Sequence, residues 1–307
     1  MISQYKAYLL FCTHFLLVAF PASAVNLALF AQFLSRSFKS FASVQNYISG
    51  IRTWHTVLGF QPPDISEPVL KLCLQGLRRL MPATCHRAYP ITPQMLNQMA
   101  KFVDRGTPYS VACWSAMLIG FFSFARRSNL VPASSKSFNP GQQLVRADII
   151  KGEDRLVVLF KWSKTNQYNS RIVAVPILAL PGTSICPVTA YSDLIRASPA
   201  SSGHPCFSYW NKRSKKLDCI SRNDLQDYLR SLVSRIGLDP SKFSCHSLRR
   251  GGATSANTAG CSSMQIKSFG DWKSDCFQLY VEADLDSRTR TAEQFSKLIA
   301  AELKIRK

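Results

Sequence analysis

Acidic residues are scarce in this chain. Asp and Glu number 18 against 38 Lys and Arg, a formal net charge of +20 over 307 residues. Such an imbalance argues against an acidic, partner-free surface and points to a polyanion. Nucleic acid and an anionic membrane both qualify, and charge alone does not choose between them. Ten cysteines are present, yet no two form a C-x-x-C pair. The histidines miss zinc-finger spacing, and the neighbours Cys85 and His86 have no partner pair. That leaves buried or free thiols of a reducing compartment as the plain reading, with no metal site expected. No glycine-rich phosphate loop ending in Lys-Ser or Lys-Thr occurs, no clustered acids for a metal, no internal repeat and no low-complexity tract. What is plentiful is apolar side chain, 46% of the total. That is enough to fill one large core or two medium ones.

The beginning of the chain admits two readings. Lys6, the uncharged run Ala7 to Phe20 and the small residues Pro21-Ala22-Ser23-Ala24 together mimic a secretory signal, followed by cleavage after Ala24. The same run also reads as a buried first helix that stops at Pro21. It is too short to span a bilayer, so no membrane partner is expected.

Thereafter the pattern is helical. Ser23 can cap a helix carrying Leu27, Phe30, Phe33 and Leu34. Ser43 can cap the next, with Val44, Tyr47, Ile48, Ile51, Val57 and Leu58 at helical spacing and Gly59 as its stop. After the Gln61-Pro62-Pro63-Asp64 turn, Ser66 and Pro68 open a third, with Val69, Leu72, Cys73 and Leu77 inside and Arg78 and Arg79 outside. Residues 83–91 are polar and lack periodicity, a linker. Thr92-Pro93 begins another helix, with Met95, Leu96, Met99 and Phe102 on its apolar face. Val111 to Phe124 carries no charge, as suits a helix buried in a large core. The runs 144–150, 155–161 and 171–175 read as strands, with a turn at Lys151-Gly152-Glu153-Asp154. Helices resume after Cys186-Pro187, one of them over 223–236 with Leu225, Leu229, Leu232 and Ile236 as its stripe.

The most informative stretch is Cys245-His246-Ser247-Leu248-Arg249-Arg250-Gly251-Gly252-Ala253-Thr254. A helix would put His246 and Arg249 on one face, pairing a guanidinium fork with a proton carrier, the makings of a phosphate site. Upstream, Phe124-Ala125-Arg126-Arg127-Ser128-Asn129-Leu130 follows the uncharged helix. Lys164 lies near a turn in the β region. Downstream, Phe269-Gly270-Asp271-Trp272-Lys273-Ser274-Asp275 leads to Tyr280. Outside any pattern, Tyr280 and Trp272 are ordinary core aromatics. Lys164 is then a solvated turn lysine with Lys161 as competitor, and Arg126 and Arg127 are charges at a helix C-terminus.

Taken in order, Arg, Lys, His-x-x-Arg, Trp and Tyr resemble the active site of the tyrosine recombinases, the phage-integrase family. The words Gly-Asp-Trp-Lys-Ser-Asp and His-Ser-Leu-Arg-Arg-Gly-Gly-Ala-Thr are most similar to recombinases of eukaryotic mobile elements, DIRS-like and Crypton-like. Ser43 to Arg52 resembles the family's core-binding domain, so the likeness spans nearly the whole chain and favours the first-helix reading of Ala7 to Phe20. The resemblance implies a mainly α protein with a small antiparallel β-sheet. A helical core-binding domain (1–85), a linker (86–91) and a catalytic domain (92–307) would clamp duplex DNA.

It also implies roles. Arg126 and Arg249 would be the catalytic arginines, His246 the histidine of the His-x-x-Arg box and Trp272 the residue at the His-or-Trp position. Lys164 would be the β-hairpin lysine and Tyr280 the nucleophile. Asn129 stands where many relatives carry an acid, and the Trp272–Tyr280 spacing is one shorter than in many bacterial relatives. No cofactor is implied. Double-stranded DNA would be the partner, with a homotetramer on two DNA sites, inside the cell and in the nucleus if the host is eukaryotic. Arg52, Arg78, Arg79, Lys212, Arg213, Lys215, Lys216, Arg222, Arg230 and Arg250 are candidate DNA contacts, with 212–216 also readable as a nuclear address or a solvated loop. Relaxation without exchange, as by a type IB topoisomerase, and a DNA-binding remnant without turnover remain alternatives.

Overall fold

The computed structural model describes residues 2–81, 88–163, 166, 171–272, 292–293 and 296. Lys164 and Tyr280 lie outside the described residues. The chain divides into two compact units, Met1–His86 and Arg87–Lys307.

The first unit is four helices: α1 (Ile2–His14), α2 (Ala24–Ser35), α3 (Phe41–Val57) and α4 (Pro68–Leu80). Its core joins Tyr8 and Phe11 of α1 to Leu27 and Phe30 of α2, Val44, Ile48 and Ile51 of α3, and Leu70 and Leu77 of α4. The apolar run at the start of the chain is thus a packed helix. It ends at His14, earlier than Pro21, and Leu16 turns the chain in a left-handed conformation (φ 54°). Ser23 caps α2 as expected, accepting from the Asn26 N–H. The cap of α3 is Ser40, three residues ahead of the expected Ser43. Ser40 Oγ accepts from the Ser43 N–H, and the two hydroxyls bond each other at 3.0 Å. Gly59, with φ +78°, ends the turn after α3, a conformation that suits glycine. On α4, Cys73 and Leu77 pack on the core as expected, but Leu70 is buried in place of Val69 and Leu72, which are exposed. Phe33, Val57 and Leu58 are likewise exposed. The period was legible, but the phase depends on which neighbours cover the helix.

In the second unit, α5 (Pro93–Ala100) starts from a Thr92 cap that accepts from Met95 N–H, as anticipated. Its buried face is Leu96 and Met99, while Phe102 is exposed beyond its end. The uncharged helix α6 (Pro108–Phe122) is buried along nearly its whole length. Helices α8 (Pro187–Ala197), α9 (Arg222–Arg235) and α10 (Cys245–Thr258) pack around it. Short α7 (Arg127–Leu130) follows α6, and α11 (Ser263–Phe269) follows α10. The stripe Leu225, Leu229 and Leu232 of α9 is buried, and Gly237 (φ +79°) ends that helix.

Three strands, β1 (Ile149–Lys151), β2 (Arg155–Phe160) and β3 (Val173–Leu178), form an antiparallel sheet in that order. The first strand is shorter than expected because 146–148 is a 3-10 turn. The third begins later and includes Pro176, which is tolerated because β3 is an edge strand. A hairpin, β4 (Ser208–Asn211) and β5 (Lys216–Cys219), was not anticipated. The basic run 212–216, read as a loop, forms its tip and the first residue of β5. The supposed linker also gives way at its end. Tyr89 N–H donates to Lys242 O (2.9 Å), Ile91 N–H donates to Ser247 O (3.1 Å), and Ile91 is fully buried in this unit's core.

Candidate functional site

The site is built on α10. Ser244 caps it, accepting from the His246 N–H, while Ser247 Oγ accepts from the Ser244 N–H in return. The helix puts His246 and Arg249 on adjacent turns of one face, as their spacing required. Gly251 and Gly252 let other chain segments touch the helix. A Cβ at 251 would overlap the Ile91 carbonyl, and one at 252 would overlap the Phe121 carbonyl and the Phe124 ring.

Arg249 is 3% exposed. Burying a guanidinium this deeply costs several kcal/mol unless its donors are met. Here Nη1 donates to Phe124 O and Nη2 to Gly270 O (2.9 Å). Its central carbon lies 3.8 Å from the centre of the Trp272 ring. Trp272 therefore packs beneath Arg249, within a small cluster containing Phe124, Ala253 and Ile266.

Arg126 lines the same cleft as Arg249. The chain leaves α6 through Phe124, whose positive φ (49°) turns it sharply, and Arg126 then stands at the N-cap of α7. The arginine pair thus heads a new helical turn instead of closing α6. Arg126 and Arg249 line one cleft together with Asn129, Trp162, Ser163 and Asp271. Arg127 lies beside the Cys245 thiol, and its charge also reaches the neighbouring His246.

His246 is exposed overall. Lost hydration of its imidazole, then the positive charges of Arg127, Arg249 and Arg126, hold it below its ordinary value of 6.5. The ring is therefore held neutral near neutrality and is able to accept a proton. Lys161, the competitor for the lysine role, is engaged in an ion pair with Asp148 at 2.9 Å, a partner that is nearly buried. Asn129, 5% exposed, donates through Nδ2 to Trp162 O. Among the described residues no group bonds its Oδ1.

Four contributors, Asp271, Ser163, Arg171 and Asn166, were not foreseen. Asp271 accepts from Ser163 Oγ (2.9 Å) and pairs with Arg171. Asn166 donates to Lys161 O (2.9 Å) and Arg171 O (2.6 Å), gathering the base of the β2–β3 connection. These partners lie five to about a hundred positions apart, and no short motif announces the distant ones.

The remaining basic candidates are distributed unevenly. Lys212, Arg213, Lys215 and Lys216 are exposed at the β4–β5 tip, and Arg78 and Arg79 are exposed on α4. Arg230 is exposed on α9, where Nε donates to Phe243 O (3.4 Å). Arg52 donates to Pro63 O (3.0 Å), holding the turn before α4. Arg222 is half-buried at the start of α9. Arg250 departs from expectation: it is 7% exposed and donates to Ala88 O (3.0 Å), a contact within the fold rather than on the surface.

With that geometry in view, solved structures supply the comparison. A Tn1549 transposon integrase in complex with transposon right-end DNA superposes with a TM-score of 0.55 and 14% identity. The match covers 90% of this chain and 86% of that one. XerH site-specific recombinase, in a post-cleavage complex with a palindromic difH substrate, gives 0.59 at 13% identity, covering 90% and 73%. A lambda integrase dimer bound to a core site gives 0.50 at 13% identity, covering 85% and 80%.

The fold is that of the tyrosine recombinases.

The tyrosine-recombinase fold extends across both compact units, since each match covers most of the chain. No family model and no curated protein matches the sequence. Among the described residues no helix is long and apolar enough to cross a membrane, and no group of three or more His, Cys, Asp or Glu could hold a metal ion.

Proposed function

We propose that this chain is a DNA strand transferase, a site-specific recombinase or integrase that cleaves and rejoins DNA through a 3′-phosphotyrosine link. One observation carries the reading. Arg126 and Arg249, more than a hundred positions apart, line a single cleft beside His246, on a fold shared with recombinases. A phosphodiester resists attack because its charge repels nucleophiles. Two guanidiniums on its non-bridging oxygens neutralise that charge, most effectively in the pentacoordinate transition state.

In the reaction, the Tyr280 oxygen attacks phosphorus and the bond to the 5′ oxygen breaks. Tyrosine has a pKa of about 10, so the positive cleft and neutral His246 assist its deprotonation. Lys164 gives the departing 5′ oxygen its proton, a general-acid step typically worth about 10² to 10⁴ in rate. The free 5′-hydroxyl later reverses the sequence, and the retained bond energy makes ATP unnecessary. Trp272 holds Arg249 in place from beneath.

The first unit and the exposed basic residues would grip the DNA backbone, making binding steeply salt-dependent. The mobile-element words around His246 and Trp272 support kinship with DIRS-like or Crypton-like recombinases. With it come action as a homotetramer on two sites and a nuclear address in a eukaryotic host. Asn129, in place of an acid and with an Oδ1 that no described residue bonds, favours a second reading: a DNA-binding remnant that has lost turnover.

A nicked suicide duplex tests both. The parent is expected to become covalently attached, whereas Tyr280→Phe binds the duplex without attachment. A parent that shifts the duplex but never forms an adduct would overturn the enzymatic reading in favour of the remnant.

A further inference from the structure

We propose that Asp271 is a positioning residue that straps the lysine-bearing β2–β3 connection to the arginine–tryptophan platform. The inference rests on the strand-transferase reading for its catalytic consequence, but not for its structural content.

One carboxylate reaches both flanks of that connection. Its Oδ2 accepts from Ser163 Oγ at 2.9 Å, just after β2, and its Oδ1 pairs with the Arg171 guanidinium, just before β3. Ser163 and Arg171 bracket the segment that contains Lys164. Asn166, buried, closes the same base by donating to Lys161 O and Arg171 O. The strap's other end is the turn at Gly270–Trp272. There Gly270 O accepts from Arg249, and the Trp272 ring lies under the same guanidinium. A side chain at 270 would collide with that ring, so the turn is held by a glycine, a left-handed Asp271 (φ 49°) and the indole together. A single residue therefore links the side of the cleft that binds phosphate to the flanks of the segment expected to protonate the leaving group.

The charge balance fits such a role. Among the described residues Asp271 is the one acid lining the cleft, and its side chain is 15% exposed. An unmatched carboxylate beside a phosphate would repel it. Pairing with Arg171 neutralises that charge and leaves the field of Arg126 and Arg249 intact. Misplacing a catalytic group by about 1 Å can cost about 100-fold in rate. Loss of the strap should therefore slow the step that needs the proton donor, and leave phosphate activation alone.

The test compares two nicked duplexes, one ordinary and one in which sulfur replaces the bridging 5′ oxygen at the scissile phosphate. When Tyr280 attacks the second, the P–S bond breaks and a thiolate departs without needing a proton. Asp271→Ala should form adduct about 100-fold more slowly than the parent on the ordinary duplex, and close to the parent rate on the sulfur one. Asp271→Asn, which retains one acceptor oxygen, should fall between. Arg249→Ala should be slow on both. Equal losses by Asp271→Ala on the two duplexes would overturn the proposal, since the strap would then be acting through Arg249.

Amide hydrogen exchange in 161–163 and 171–173 is measured alongside. It should quicken in Asp271→Ala, and unchanged exchange would overturn the strap whatever the activity. If the parent forms no adduct on either duplex, the strand-transferase reading fails, and exchange alone decides whether the strap exists.

Discussion

Helices α6 and α10 pack against each other inside the second unit, and each hides most of its length from water by different means. From Val111 to Phe121, α6 buries every residue, and none is charged. It is close-packed apolar core, and each side chain there contributes by leaving water and filling volume. Over a comparable stretch α10 buries Arg249 and Arg250 together with two glycines. Its charges are held by carbonyls at Phe124, Gly270 and Ala88, and its glycines admit neighbouring backbone. One helix is placed to stabilise; the other is placed to aim a charge. The difference shows that deep burial alone says little about function, whereas burial of a charge whose partners come from remote turns says a good deal.

That contrast can be broken experimentally. The largest effect is expected from Arg249→Ala, which removes the proposed anion-stabilising group and strands two carbonyls. Adduct formation on a nicked duplex should fall by roughly 10² to 10³, as when one oxyanion donor is lost elsewhere. An undiminished rate would erase the distinction between the helices. Leu118→Ala on α6 should act oppositely: about 3 kcal/mol lower stability by chemical denaturation, from lost burial and a residual cavity. The adduct rate per folded molecule should stay near that of the parent, and a selective rate loss would show that α6 does more than fill space.

The smallest effect concerns pH. His246 is held below 6.5 when folded, so the unfolded chain takes up its proton first as pH drops. Stability should be level above about 6.5 and decline below it, down to the folded value. The acid limb of adduct formation should likewise lie below 6.5. His246→Asn should flatten this part of the stability profile, and an unchanged slope would assign it to another group.

The same contrast explains what could be read from sequence. α6 was legible because an uncharged run has few other soluble uses, and the partnership of His246 with Arg249 because a spacing of three on a helix dictates it. The β4–β5 hairpin was not legible. Its turn puts Lys215 at φ 53°, a conformation usually signalled by glycine or asparagine, and its tip is a run of cations that reads as loop. Asp271 was hidden because its partners at 163 and 171 are brought to it only by tertiary packing. The expected cap, Ser43, lies inside the first turn of α3 and bonds the hydroxyl of the actual cap, Ser40.

Gly251 has one last implication. Because that position is bare, the backbone at Ile91 rests directly on α10, and the neighbouring Ala88 carbonyl is bound by Arg250. The thread entering the second unit is stitched to the very helix that presents Arg249. A residue inserted between Tyr89 and Ile91 would shift this stitching by one register and disturb the guanidinium from the far side of the helix, with no atom of the cleft itself altered.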